Sequence, residues 1–178
     1  MAGKTPKEAA DSFVGFLQET VSCITADPLT AFRQSDKLYR VLTNPPFALT
    51  TRSGARLFLS ITQVFAVVAD PKEKRQFKVK TREYSYRLSR EADVRAAEVL
   101  AYHWHPGAFD VRHPHLHVTC VPRVHFPTSR VCLEDVIEML IRYYGVRPRL
   151  THAEWTGILD KNKRAFEQMA TWKIQHPR

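Results

Sequence analysis

Acidic residues are scarce in this sequence. Its 178 residues include 18 Asp and Glu against 27 Lys and Arg, which gives a formal net charge of +9 at pH 7. An excess of this size favours an anionic partner, such as a nucleic acid, a nucleotide or an acidic protein. Neither a basic amphipathic helix with an aromatic-rich apolar face nor a polybasic tail is evident, so we expect no membrane partner.

Several motifs and segments are also missing, and each absence argues against a class of protein. The sequence has no run of about eighteen apolar residues, which argues against a membrane-spanning helix. Its start, MAGKTPKEAADSF, has no apolar segment of a signal peptide. The three cysteines form no Cys-x-x-Cys pair, and no glycine-rich nucleotide-binding motif or Gly-x-Ser-x-Gly motif is present. We therefore expect a cytoplasmic protein with reduced thiols.

Hydrophobic periodicity predicts an α+β fold: an antiparallel sheet of about four strands with two N-terminal and two C-terminal helices. Apolar residues at helical spacing predict helices over 6–25, 28–42, 133–144 and from 151 onward. Segments rich in β-branched and aromatic residues predict strands over 56–69, with a helical turn allowed near its end, and over 77–88, 98–105 and 115–121. We expect the chain, residues 1–178, to form a single domain.

Histidines are concentrated in one segment. Residues 101–120, AYHWHPGAFDVRHPHLHVTC, hold five of the eight histidines. Alternate residues of a strand face the same side, so His103 and His105 share one face of their strand, as do His115 and His117. The nine residues between the two pairs allow an antiparallel return, which would bring four imidazoles together. This pattern predicts a functional site, and the alternative is a solvated strand face without chemistry.

A histidine cluster suits three kinds of chemistry. The first is metal-free general acid and base catalysis of phosphodiester cleavage, because imidazole titrates near neutral pH. The second is a zinc or iron site formed by the same four rings, although Asp110 is the only carboxylate nearby. The third, covalent nucleotidyl transfer, is implied only by a family resemblance of residues 113–118. We expect no cofactor, with zinc as the alternative.

A basic strand precedes the histidines. In 77–88, FKVKTREYSYRL, strict alternation would place lysines, an arginine and two tyrosines on one face, which suits phosphates and bases of a nucleic acid. The alternative is a solubilising outer face of the sheet. Arg112 and His113 lie at the rim of the histidine segment, and Arg130 precedes the helix at 133. With the residues of the basic strand, the predicted substrate-binding residues are Lys78, Lys80, Arg82, Tyr84, Tyr86, Arg112, His113 and Arg130.

Two resemblances add to this interpretation. Residues 113–118, HPHLHV, resemble the signature of the histidine triad nucleotide hydrolases, which implies His115 as a nucleophile towards an α-phosphate. A longer region, about 77–145, is similar to the TumE-like family of small bacterial toxins, whose members are paired with a DNA-binding antitoxin. The residues that carry this second resemblance are Tyr84, Tyr86, His103, Pro114, His115, His117 and Val118.

The leading hypothesis is a toxin-like, metal-independent ribonuclease or RNA-processing phosphodiesterase. Its predicted catalytic residues are His103, His105, His115 and His117. The alternatives are a non-enzymatic RNA- or partner-binding subunit of a defence or toxin–antitoxin complex, and a histidine-triad-like nucleotide hydrolase. The expected partners are RNA and a cognate antitoxin or another protein.

Overall fold

The computed structural model shows a fold dominated by one antiparallel sheet. It describes residues 2–71, 73, 76–93, 95–107, 113–120 and 124–169. Within these residues, the helices are α1 (Pro6–Val21), α2 (Leu133–Arg142) and α3 (His152–Met169). The strands are β1 (Ala2–Gly3), β2 (Thr30–Arg33), β3 (Leu38–Leu42), β4 (Phe47–Thr50), β5 (Arg56–Ala69), β6 (Phe77–Ser89), β7 (Glu98–Trp104), β8 (His115–Val118) and β9 (Phe126–Pro127).

The sheet is an antiparallel meander around two long central strands. Its main order is β2-β3-β5-β6-β7-β8-β9, so neighbours in the sheet are mostly neighbours in the chain. β3 and β4 pair with the same edge of β5, one after the other, and β1 pairs with the start of β6. Short connections of this kind favour antiparallel pairing because each strand folds back on the previous one.

The helices pack on one face of the sheet and form the hydrophobic core with it. On that face, Phe13 of α1 meets Phe65 of β5 with ring centroids 4.7 Å apart. On the same side, the Tyr102 hydroxyl of β7 lies 3.9 Å from the Met139 sulfur of α2. The opposite face of the sheet, which carries Ser85 and its neighbours, is called the outer face below.

The fold predicted from the sequence was wrong, because the sheet is larger and the N-terminal helices are fewer. The segment 28–42 is not a helix but contains the β2–β3 hairpin. Its apolar residues also fit strand alternation: Tyr39 stacks on Phe65 at 5.3 Å, and Val41 is fully buried opposite Gln63. Pairing with the long strand β5 therefore decides between two spacings that the sequence allowed.

Other elements also differ from expectation at their ends and edges. β4 and β9 were not predicted, because short strands of four and two residues carry too little pattern. β5 continues to Ala69 without a helical turn. The helix predicted from 151 onward is present as α3 and begins with a capping box, since the Glu154 carboxylate accepts from the Thr151 amide at 2.8 Å. No helix in the described part of the chain has the length and apolarity needed to cross a membrane.

Candidate histidine site

The pairing of β7 with β8 sets the positions of four histidines. His103 is the direct cross-strand partner of His115, and His117 lies opposite Ala101. On the other side of β7, His103 pairs with Ser85 of β6, which belongs to the outer face. Because side chains alternate along a strand, these histidines project from the outer face while Tyr102 points to the core.

The four predicted rings lie together in the structure. The ring centroid of His103 lies 5.2 Å from that of His105, 5.7 Å from that of His115 and 5.0 Å from that of His117. The rings of His115 and His117 are 5.0 Å apart. The alternation and the short return that the sequence indicated are therefore sufficient to bring these side chains into contact.

A fifth histidine, from the edge of the sheet, joins them. His125 directly precedes β9, and its ring centroid lies 4.8 Å from that of His115 and 4.6 Å from that of His117. His125 was not predicted to be part of the site, because a two-residue edge strand has no recognisable alternation. The sequence feature that could have indicated His125 is its position shortly after His115 and His117. We call the five rings, His103, His105, His115, His117 and His125, the histidine cluster.

Three rings of the cluster converge most closely. His115, His117 and His125 each offer a ring nitrogen, and these nitrogens all lie within 4.8 Å of one another. His115 is only 5% exposed, His117 is half-buried and His125 is exposed, so the group opens from the sheet towards solvent. The zinc alternative considered from the sequence had named His103 and His105 together with the β8 histidines, whereas the converging group has His125 in their place.

The backbone fixes the orientation of the most buried ring. The Nδ1 atom of His115 lies 2.9 Å from the His113 carbonyl oxygen. A carbonyl oxygen only accepts hydrogen bonds, so Nδ1 donates and carries the proton of the neutral ring. The Nε2 atom of His115 is therefore left with the lone pair. His113 contributes to the cluster through its carbonyl, while its own residue is exposed.

Burial lowers the pKa of three members of the cluster. For His105, His115 and His117, loss of hydration is the largest cause, and the charge that a neighbouring imidazole carries when protonated lowers each pKa further. The hydrogen bond to the backbone opposes this effect at His115. These rings are therefore neutral at pH 7 and present nitrogen lone pairs.

A carboxylate that the sequence analysis missed lies beside the cluster. An oxygen of Glu98 is 3.8 Å from His103 Nε2 and 3.0 Å from Arg87 Nε. The interaction with His103 is the main cause that lowers the pKa of Glu98, although 3.8 Å is the separation of an ion pair rather than of a hydrogen bond. The other ring nitrogen of His103, Nδ1, is buried without a hydrogen-bond partner in the described part of the chain.

A β-bulge explains why alternation hid Glu98. Leu88 pairs with Leu100 and Ser89 pairs with Glu98, so Val99 is an extra residue on β7. Strict alternation would place Glu98 on the core face with Leu100. The extra residue turns Glu98 to the outer face, where it meets Arg87 and His103.

A second bulge changes which side chains of the predicted basic strand share a face. Val64 pairs with Glu83 and Phe65 pairs with Thr81, which leaves Arg82 as an extra residue on β6. Beyond it the faces exchange, so Tyr84 and Tyr86 are buried in the core at 3% and 2% exposure. The prediction that these tyrosines share a nucleic-acid-binding face with the lysines was therefore wrong.

The basic residues of β6 nevertheless lie on the same face as the histidine cluster. Lys78 pairs with Val68 and Lys80 with Ala66 of β5. These residues face the same side of the sheet as Ser85 and its partner His103. Lys78 is paired with Asp70 at 3.5 Å. Lys80 and the bulge residue Arg82 are exposed and have no ion-pair partner among the described residues.

The remaining predicted substrate-binding residues lie elsewhere. The guanidinium of Arg130 lies over the ring of Trp104, 4.2 Å from its centroid, and desolvation lowers its pKa. Arg130 therefore packs against the sheet and is half-buried. Arg112 lies outside the residues that the structure describes.

Comparison with known proteins finds no relative. No family model matches the chain, and neither a curated protein nor a solved structure is significantly similar to it. The fold and the site define the chain only as an antiparallel-sheet protein with a histidine cluster on its outer face. The resemblances to the TumE-like toxins and to the histidine triad hydrolases stay predictions.

Acidification should destabilise the protein through the cluster. The pKa values of His105, His115 and His117 lie below the ordinary value of 6.5, so below that pH the unfolded chain binds protons that the folded chain does not. Glu83 raises the pKa of His105 and Glu98 raises that of His117, but both pKa values remain lowered overall. The free energy of unfolding should therefore fall as the pH drops below about 6.5.

Thermal melting between pH 7.5 and 5.5, in buffer with EDTA, measures this effect. His117→Asn should show a smaller loss of Tm than the wild type over that range, because it removes one of the titrating rings. An equal loss in both proteins would contradict the assigned cause.

Proposed function

We propose that this protein cleaves phosphodiester bonds in RNA and that the histidine cluster is its reaction centre. The observation that carries the proposal is the mutual contact of five imidazoles on the sheet face that also bears Lys80 and Arg82. Imidazole suits this chemistry because it transfers protons near neutral pH and also binds transition metals. Unpaired cations on the same face provide contacts for phosphates.

A purely structural role explains the cluster poorly. Buried polar atoms in proteins normally have hydrogen-bond partners, yet His103 Nδ1 has none among the described residues. Rings that lower one another's pKa also make the folded state sensitive to acid. Side chains with shifted pKa values that gather at one place are typical of functional sites.

The spacing of the charges suits a polynucleotide rather than a single phosphate. Arg82 lies three positions from Ser85, the residue that pairs with His103, which corresponds to about 10 Å along a strand. A chain of phosphates lying along the outer face can therefore contact Lys80 or Arg82 and the histidine cluster at once. The net charge of +9 adds long-range attraction for such a polyanion.

RNA is favoured over DNA because its 2′-hydroxyl can act as the nucleophile. The 2′-oxygen attacks the phosphorus, the bond to the 5′-oxygen breaks, and the proton lost by the 2′-hydroxyl is balanced by one given to the 5′-oxygen. Groups that accept and donate protons within one site are what this reaction needs, and the cluster supplies several. The products are a 2′,3′-cyclic phosphate and a 5′-hydroxyl.

Labelled single-stranded RNA, incubated with the purified protein, tests the proposal. We expect shorter products with cyclic phosphate ends, and binding that weakens steeply with salt because phosphate contacts release counterions. Lys80→Ala and Arg82→Ala should each make the log–log salt slope shallower by about 0.7. The all-deoxy oligonucleotide of the same sequence is the matched control, which should bind without being cleaved.

Two results would contradict the proposal in different ways. RNA that is bound and remains intact at every pH tested would identify a binding module without enzymatic activity. The absence of RNA binding even at low salt would show that the positive charge serves a protein or nucleotide partner.

A further inference from the structure

We propose that His115, His117 and His125 form a binding site for one zinc ion. Their ring nitrogens lie within 4.8 Å of one another, on β8 and directly before β9 at the edge of the sheet. The binding itself is independent of the proposed reaction, and only its role in RNA cleavage rests on the proposed function.

The distances are close to those of a metal site. A point equidistant from three atoms that are 4.8 Å apart lies about 2.8 Å from each, compared with about 2.0–2.1 Å for a zinc–imidazole bond. A movement of roughly 0.7 Å by each nitrogen would close that difference. His117 is half-buried and His125 is exposed, so small rotations of these rings are open to them.

The surroundings of His115 resemble those of a metal ligand. Metal-binding histidines generally donate their second ring nitrogen to a carbonyl or carboxylate, which fixes the ring and its tautomer. His115 has this arrangement, because its Nδ1 donates to the His113 carbonyl oxygen and leaves Nε2 for an ion. The residue is 5% exposed, so its orientation is also held by packing.

The donor atoms indicate the class of metal. Three imidazoles without a carboxylate suit zinc and its neighbours in the first transition row, whereas magnesium and calcium prefer oxygen ligands. Three protein ligands also leave a coordination position open, as in catalytic rather than structural zinc sites. An ion bound there would neutralise the charge that develops on the phosphoryl oxygens. His103 and His105 remain as the rings beside the ion for contact with the substrate.

Zinc titration of the metal-free protein, prepared with EDTA and without a polyhistidine tag, tests the inference. Calorimetry should show one equivalent of zinc bound by the wild type. His117→Ala and His125→Ala should each weaken the affinity by about 100-fold or more, since each removes one of three ligands. His105→Ala is the matched control, because it removes a ring of the same cluster outside the converging group, and its zinc affinity should stay within about tenfold of the wild type.

The outcomes separate the metal site from the proposed reaction. No zinc binding by the wild type, or an equal loss in His105→Ala and His125→Ala, would overturn the inference. His125 is exposed, so replacing it should not unfold the chain, and circular dichroism of the variant checks this. Zinc binding without RNA cleavage would refute only the proposed function, and cleavage unaffected by EDTA in a protein that binds no zinc would refute only the metal site.

Discussion

His117→Ala should lower the rate of RNA cleavage by about 100-fold or more while the dissociation constant for RNA changes little. The ring centroid of His117 lies 4.6 to 5.0 Å from those of His103, His115 and His125, so this ring adjoins three of the other four members of the cluster. Its loss should remove interactions that matter at the scissile phosphate. The phosphate contacts of Lys80 and those of the other cations on the outer face would remain.

His152→Ala is the control for this experiment. His152 begins α3 and is exposed, and its ring contacts Trp155 rather than any member of the cluster. Its replacement should leave both the rate and the affinity unchanged. A proportional loss of rate and affinity in His117→Ala would indicate that the cluster only binds RNA, and equal activities of His117→Ala and the wild type would remove the cluster from the reaction.

The histidine site was the part of the structure most accessible from the sequence. The pattern His-x-His occurs twice, once across the end of β7 and once on β8, and the pairs fold together because the return between them is short. Alternation along a strand is a local property, so it holds wherever the strand is regular. The pairing of His103 with His115 therefore follows from residues that are close in the chain.

Irregularities in the strands were not predictable in the same way. The extra residues Arg82 on β6 and Val99 on β7 each exchange the two faces of a strand. Neither position is a glycine or proline, so the sequence carries no local mark of the bulge. The bulges change the positions of other residues: Tyr84 and Tyr86 are buried in the core, and Glu98 lies beside the histidine cluster.

The N-terminal half shows a different limit of sequence reasoning. Phe32, Leu38 and Val41 fit a helix by their spacing, whereas Tyr39 and Val41 fit a strand by their alternation towards the core. The choice depends on β5, a fourteen-residue strand whose edge must find partners. Such long-range pairing is decided by the whole sheet and outweighs local preference.

The position of Tyr86 provides a direct test of the bulge at Arg82. Tyr86 is 2% exposed, stacks on Tyr84 with centroids 5.0 Å apart, and loss of hydration raises its pKa well above the ordinary value of 10. Tyr86→Ala would leave a cavity in the core and should lower the free energy of unfolding by about 3–5 kcal/mol, whereas Lys80→Ala should change it by less than about 0.5 kcal/mol.

Urea denaturation followed by circular dichroism measures both effects, and Tyr86→Phe is the matched control. It keeps the ring, so its cost should stay below about 1.5 kcal/mol. The stability of these variants decides between the two faces of β6. If Tyr86 lay on the outer face with Lys80, Tyr86→Ala would retain nearly full stability and lose RNA affinity instead, because a base would lose its stacking partner. A large loss of stability with unchanged RNA affinity per folded molecule places Tyr86 in the core and leaves the cations of β6 and the histidine cluster as the surface on which RNA would bind.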